Sequence, residues 1–73
     1  MLADKLLELR IKKGVSQEEV ARRIGISNSV LSRIERGKRD PTYTILIKLV
    51  DYYGVSFDDV MDLDKNFRIE NKY

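Results

Sequence analysis

The sequence has no cysteine and no histidine. Without thiols there are no disulfides, no sulfur nucleophile and no zinc-finger ligands. Without imidazole the commonest general base is gone as well. Long apolar runs are missing too. Ile45-Leu46-Ile47 is the longest, far short of the ~20 residues that a bilayer-spanning helix needs. Met1 leads into Leu2-Ala3-Asp4-Lys5, not into a basic start with an apolar stretch behind it, so no secretory signal is readable. No glycine run is built to cradle phosphates, and the chain is too short for a substrate pocket. These absences argue against an enzyme, a cofactor, a bound metal, a small-molecule ligand and a membrane partner. The expected setting is the reducing cytoplasm.

What remains is a chain of 73 residues, 42% apolar and 36% charged, with a net charge of +2. That suffices for one small domain, which buries only about 60% of its unfolded surface and is marginally stable. It must rely on well-packed helices or on a partner chain. The charge is lopsided. Residues 1–39 carry ten Lys/Arg and five Asp/Glu, whereas residues 40–73 carry four and seven. A basic half joined to an acidic half suggests an anionic partner met from one side.

One proline (Pro41) and four glycines (Gly14, Gly25, Gly37, Gly54) cut the chain into pieces of helical length. The first, from about Ala3 to Lys13, repeats Leu2, Leu6 and Leu9 at helical spacing and ends in Arg10, Lys12 and Lys13, where the helix dipole favours cations. The second opens at Ser16-Gln17-Glu18-Glu19, where Ser16 can cap and Glu19 reach back, a device worth roughly 1 kcal/mol. Val20, Ala21 and Ile24 are its buried stripe. The third begins at Ser27, with Leu31 and Ile34 inward and Gly37 closing it. The fourth starts after Pro41-Thr42 and runs to about Tyr53, with Ile45, Leu46, Leu49, Val50 and Tyr53 inward. Ser56 and Asp59 frame a fifth, with Phe57, Val60, Met61 and Leu63. Only Phe67-Arg68-Ile69-Glu70 alternates weakly like a strand. The pattern predicts an all-α, compact five-helix domain over residues 1–63, followed by a tail at 64–73.

The informative stretch is Gln17 to Arg36. Two short helices meet at Gly25-Ile26-Ser27. Helices that cross steeply need a small side chain, Ala21, at their closest approach, and the tight turn needs a residue that tolerates positive φ, Gly25. Ile26 plugs the angle. Leu31 and Ile34 anchor the second helix of the pair, leaving Asn28, Ser29, Ser32, Arg33 and Arg36 outside. All five are polar and none is acidic, the composition of a helix that faces a DNA major groove.

Ser16-Gln17-Glu18-Glu19-Val20-Ala21, Gly25-Ile26-Ser27 and the run Leu31-Ser32-Arg33-Ile34-Glu35-Arg36-Gly37-Lys38-Arg39-Asp40-Pro41-Thr42 closely resemble the Cro/CI-type helix-turn-helix regulators, which include the xenobiotic-response-element-like proteins. Gly54-Val55-Ser56-Phe57-Asp58-Asp59-Val60 is similar to the start of that family's fifth helix. The resemblance covers residues 5–63. It implies a lambda-repressor-like fold whose helices 2 and 3 form the helix-turn-helix, and a protein that binds double-stranded operator DNA, usually as a homodimer, to repress or activate transcription.

On that resemblance Gln17 contacts a phosphate and braces the recognition helix, at a helix start whose free N–H groups favour an anion in any case. Asn28 and Ser29 match positions that reach base edges, and Asn pairs bidentately with adenine. Ser27 is divided between capping and phosphate contact. Ser32 and Arg33 lie one turn on, and Arg33 suits guanine or a phosphate. Lys38 and Arg39 would follow the sugar–phosphate backbone, as their charge alone suggests. Tyr43 either offers its hydroxyl to a phosphate or packs on the core. Arg22, Arg23 and Arg36 read as general basic surface. Arg10 and Glu35 match positions that form an internal ion pair between the first and third helices. Val30, where the family often has a small polar residue, either packs on the second helix or meets a thymine methyl.

One such module touches about 4–6 base pairs, too few to single out an operator, so two modules reading half-sites about 34 Å apart are expected. The acidic C-terminal half is the expected dimer face, with Ile47, Tyr52, Met61, Leu63, Phe67 and Ile69 as candidates. Leu7 and Ile11 lie off the main stripe, as wide-face core or as a patch for a partner. A competing reading is a protein-interaction module, antitoxin-like, with DNA contact secondary. The acid-free outer face of the third helix argues against it.

Overall fold

The computed structural model describes residues 2–62. Five helices follow one another: α1 (Leu2–Lys13), α2 (Gln17–Ile24), α3 (Asn28–Glu35), α4 (Tyr43–Tyr53) and α5 (Phe57–Asp62). There is no strand among the described residues. The weakly alternating Phe67–Glu70 run and the tail lie outside them.

Side-chain caps start four of the helices. The Ser16 hydroxyl accepts from Glu19 N at 3.0 Å, Ser27 from Val30 N at 3.1 Å, Thr42 from Ile45 N at 3.2 Å and Ser56 from Asp59 N at 3.0 Å. Each meets a backbone donor that has no partner within its helix. At α5 the box is reciprocal, since Ser56 N donates to the Asp59 carboxylate at 3.2 Å. At α2 only half of the expected box forms. The Glu19 carboxylate pairs with Arg22 and with Arg23, the latter at 3.3 Å. Guanidinium groups three and four residues on lie on the same helix face and capture the acid that would otherwise turn back.

α2 ends in a left-handed Gly25 at φ 80°, whose N–H bonds to the Ala21 carbonyl. α3 is shorter than its closing glycine suggests. Its last residue is Glu35, Arg36 caps it at φ −92° and ψ 3°, and Gly37 follows in the left-handed region at φ 74°.

Leu6, Val20, Ala21, Ile24, Leu31, Ile34, Leu46, Leu49, Val50 and Val60 form one buried core. All five helices contribute to it, and α3 packs against both α2 and α1. Ile26 and Val30 are half-buried against this core, so the turn is plugged as its sequence suggests. Ile45 and Tyr53, expected inward, are half-buried rather than buried.

Candidate nucleic-acid interface

Burial divides α3 lengthwise. Leu31, Ile34 and Glu35 are buried. Asn28, Ser29 and Arg33 are exposed and Ser32 is half-buried, on the opposite side. The apolar positions therefore fix the helix while its polar positions stand in solvent. Arg36, Lys38 and Arg39 continue that exposed surface into the α3–α4 loop. Among the described residues none of Arg33, Arg36, Lys38 and Arg39 is in an ion pair, whereas Arg22 and Arg23 share Glu19. Among the described residues, unpaired positive charge thus lines the second half of α3 and the loop that follows, whereas both arginines of α2 are paired.

A buried carboxylate holds the platform. The Glu35 side chain is 2% exposed and that of Arg10 is 16% exposed. Arg10 Nε lies 3.1 and 2.8 Å from the two Glu35 oxygens, and Arg10 Nη1 donates to the Val15 carbonyl at 3.0 Å. Gln17 Nε2 donates to Glu35 Oε1 at 3.0 Å. One carboxylate thereby joins α1, the start of α2 and the end of α3. Charge-assisted bonds of this kind are about twice as strong as neutral ones, and here they tie the start of α2 and the end of α1 to the end of α3. Gln17 spends one amide hydrogen on this brace and keeps a second. Placed as the first residue of α2, it sits beside the free N–H groups of a helix start.

Ser27 caps α3 through its oxygen and is exposed. Its hydroxyl proton is not used by that bond, so capping does not exhaust the group. Tyr43 is 70% exposed. Its ring meets Phe57 edge-on at 5.7 Å, so it touches the body of the domain with one face and leaves the rest in solvent.

Tyr53 adds a feature that periodicity did not reveal. Its hydroxyl is buried without a hydrogen-bond partner among the described residues. Burial pushes its ionisation well above the usual tyrosine range, the Glu35 charge adds to this, and Arg10 opposes it.

Of the expected dimer candidates, Met61 and Tyr52 are half-buried against the core. The Tyr52 ring also carries Lys13 Nζ at 5.3 Å and Arg23 at 5.9 Å from its centre. Ile47 is half-buried and lies outside the core cluster. Leu63, Phe67 and Ile69 lie outside the described residues.

Residues 6–60 match a family model described as helix-turn-helix. An HTH-type transcriptional regulator of Bacillus subtilis, ImmR, is 41% identical over 64 residues, covering 88% of this chain and 50% of its own length. The cryptic phage CTXphi transcriptional repressor RstR of Vibrio cholerae is 31% identical over 72 residues, 99% of this chain and 64% of that protein. An uncharacterized HTH-type regulator of Sinorhizobium fredii, y4dJ, is 43% identical over 56 residues, 77% of this chain and 73% of its own length. The chain thus spans about half the length of the Bacillus relative. No solved structure matches it. No helix among the described residues is long and apolar enough to cross a membrane.

Proposed function

The chain belongs to the helix-turn-helix family of the Cro/CI type, and from that membership we propose that it is a transcription regulator that reads double-stranded operator DNA with α3. The observation that carries this reading is the division of α3 into a buried apolar side and an exposed, acid-free polar side. Asn28 and Arg33 contact base edges, while Ser29 and Ser32 add tolerant hydrogen bonds. Gln17, Ser27, Lys38, Arg39 and the Tyr43 hydroxyl contact phosphates on either side, which fixes register without specifying sequence. Two copies act on adjacent half-sites about 34 Å apart, because one short helix reads too little sequence to define an operator. The action is repression, by occupying the site. The naming of the Vibrio relative as a phage transcriptional repressor supports that choice.

Selection of bound duplexes from a random pool tests the proposal. Enrichment of a two-fold-related sequence with half-site centres one helical turn apart is the expected result. A pool that stays random after repeated rounds would refute sequence-specific binding.

A further inference from the structure

The homodimer just proposed needs a surface, and α1 carries one that the core leaves unused. Leu2, Leu6 and Leu9 turn inward. Leu7 and Ile11 take no part in the core or in the shell packed against it, and Ile11 is 63% exposed. Together with Asp4, Glu8 and Lys12 they border a shallow open depression along the outer side of α1. Leu7 is half-buried and Ile11 exposed one turn on, a small apolar patch on the outer side of α1 that a second helix can cover.

We propose that the occupant is α1 of a second copy, packed antiparallel across a two-fold axis level with Leu9. The charges argue for it. Asp4, Glu8 and Lys12 follow one another at four-residue spacing, so they share one flank of the helix, each about 40° around from the last. A two-fold axis perpendicular to the helices brings like flanks together with their directions reversed. Seating Leu7 of one copy on Ile11 of the other sets Lys12 level with position 6 of its neighbour. At 1.5 Å per residue it then stands between Asp4 and Glu8, about 3 Å along the axis from each. Two acid–base–acid clusters form by symmetry. The two helix dipoles oppose each other, which is also favourable. Glu8 already holds Lys5 of its own chain at 3.9 Å, which offsets the approach of the two Glu8 side chains. Three turns of helix bury less than the ~800 Å² per partner of a standard interface, so the contact is weak in free solution and strengthens when DNA holds both copies on adjacent half-sites.

The test uses sedimentation equilibrium up to near-millimolar protein, with thermal melts as the control for folding. The wild type is expected to dimerise reversibly. Leu7→Ser with Ile11→Ser should weaken dimerisation at least tenfold while melting stays close to wild type. A chain with Asp4→Lys and Glu8→Lys presents only positive charge on this flank, and a chain with Lys12→Glu only negative. Each should be monomeric alone, and the two mixed should associate. Wild-type dimerisation in the serine variant, or failure of the charge-swapped pair to associate, would overturn the α1 interface while leaving a dimer through another surface. A wild type that stays monomeric throughout would overturn both the interface and the homodimer reading. Affinity for a single half-site duplex, which should be unchanged in the serine variant, reports separately on DNA recognition.

Discussion

Removing Arg10 should strongly destabilise the domain rather than merely loosen its grip on DNA. Arg10→Ala deletes the guanidinium that faces both Glu35 oxygens at 3.1 and 2.8 Å and the Val15 carbonyl at 3.0 Å. Gln17 then remains as the only described partner of a carboxylate that is 2% exposed. Breaking a buried pair on one side typically costs ~3–5 kcal/mol, because a charge is left in a poorly polarisable interior. At ~0.05–0.15 kcal/mol per residue the whole chain is stable by only about 4–11 kcal/mol. For a domain of this size each kcal/mol moves the melting temperature by ~4–8 °C, so a fall of at least ~12 °C is expected in thermal melts followed by circular dichroism. Arg10→Lys should recover only part of the loss, since a single ammonium does not reproduce the guanidinium's separate bonds to Glu35 and to the Val15 carbonyl. Adding Glu35→Gln to Arg10→Ala should raise the melting temperature again, because the stranded charge is gone. An Arg10→Ala protein that melts within a degree or two of wild type would refute the view that this pair holds the three helices together.

Three further outcomes follow from the same geometry. Two cations per protomer placed on phosphates (Lys38 and Arg39) predict that a dimer's operator affinity falls with salt at a log–log slope near ~ −4, and that Lys38→Ala reduces the slope magnitude by about 1 per protomer without changing sequence preference; graded-salt mobility shifts measure both. Asn28→Ala should cost ~1–3 kcal/mol at one base position and leave the rest of the selected site intact, as read by competition with singly substituted duplexes. Tyr53→Phe removes a buried hydroxyl without a described partner, so stability near neutral pH should stay level or rise. Because burial raises the folded-state ionisation of Tyr53 above that of the unfolded chain, its contribution is fully present below the ordinary tyrosine range and is lost as pH climbs from about 10. The Phe variant should therefore resist alkaline unfolding better than wild type, and equal alkaline midpoints would contradict this.

Much of the architecture was legible in local chemistry. Ser27 and Thr42 cap where they stand because a hydroxyl can reach the N–H three residues on, whatever the rest of the chain does. Gly25 was readable because a positive φ at a tight turn leaves few alternatives. The buried stripe of Val20, Ala21 and Ile24 follows from spacing alone. Competition between partners was not legible. Glu19 had a backbone N–H and two guanidinium groups within reach, and side-chain placement rather than sequence decided for the cations. This also removes Arg22 and Arg23 from the free basic surface that composition suggests. Arg10 and Glu35 stand 25 positions apart, and no helical period connects them; family resemblance suggested the pairing. Tyr53 could be placed inward by spacing, but only the packing of α4 on the other helices reveals where its hydroxyl ends. The exposed side of α3 follows from its buried side, but which bases it meets on the proposed reading depends on a duplex with its own shape.

The lengthwise division of α3 has an evolutionary consequence. Asn28, Ser29 and Arg33 are exposed, so on the proposed reading a lineage can retarget to a new binding site through single steps that leave the core alone. Changes at Leu31, Ile34 or Glu35 strike the scaffold itself and are purged whatever the target. Divergent specificity on a constant frame is the pattern that such a separation of duties permits.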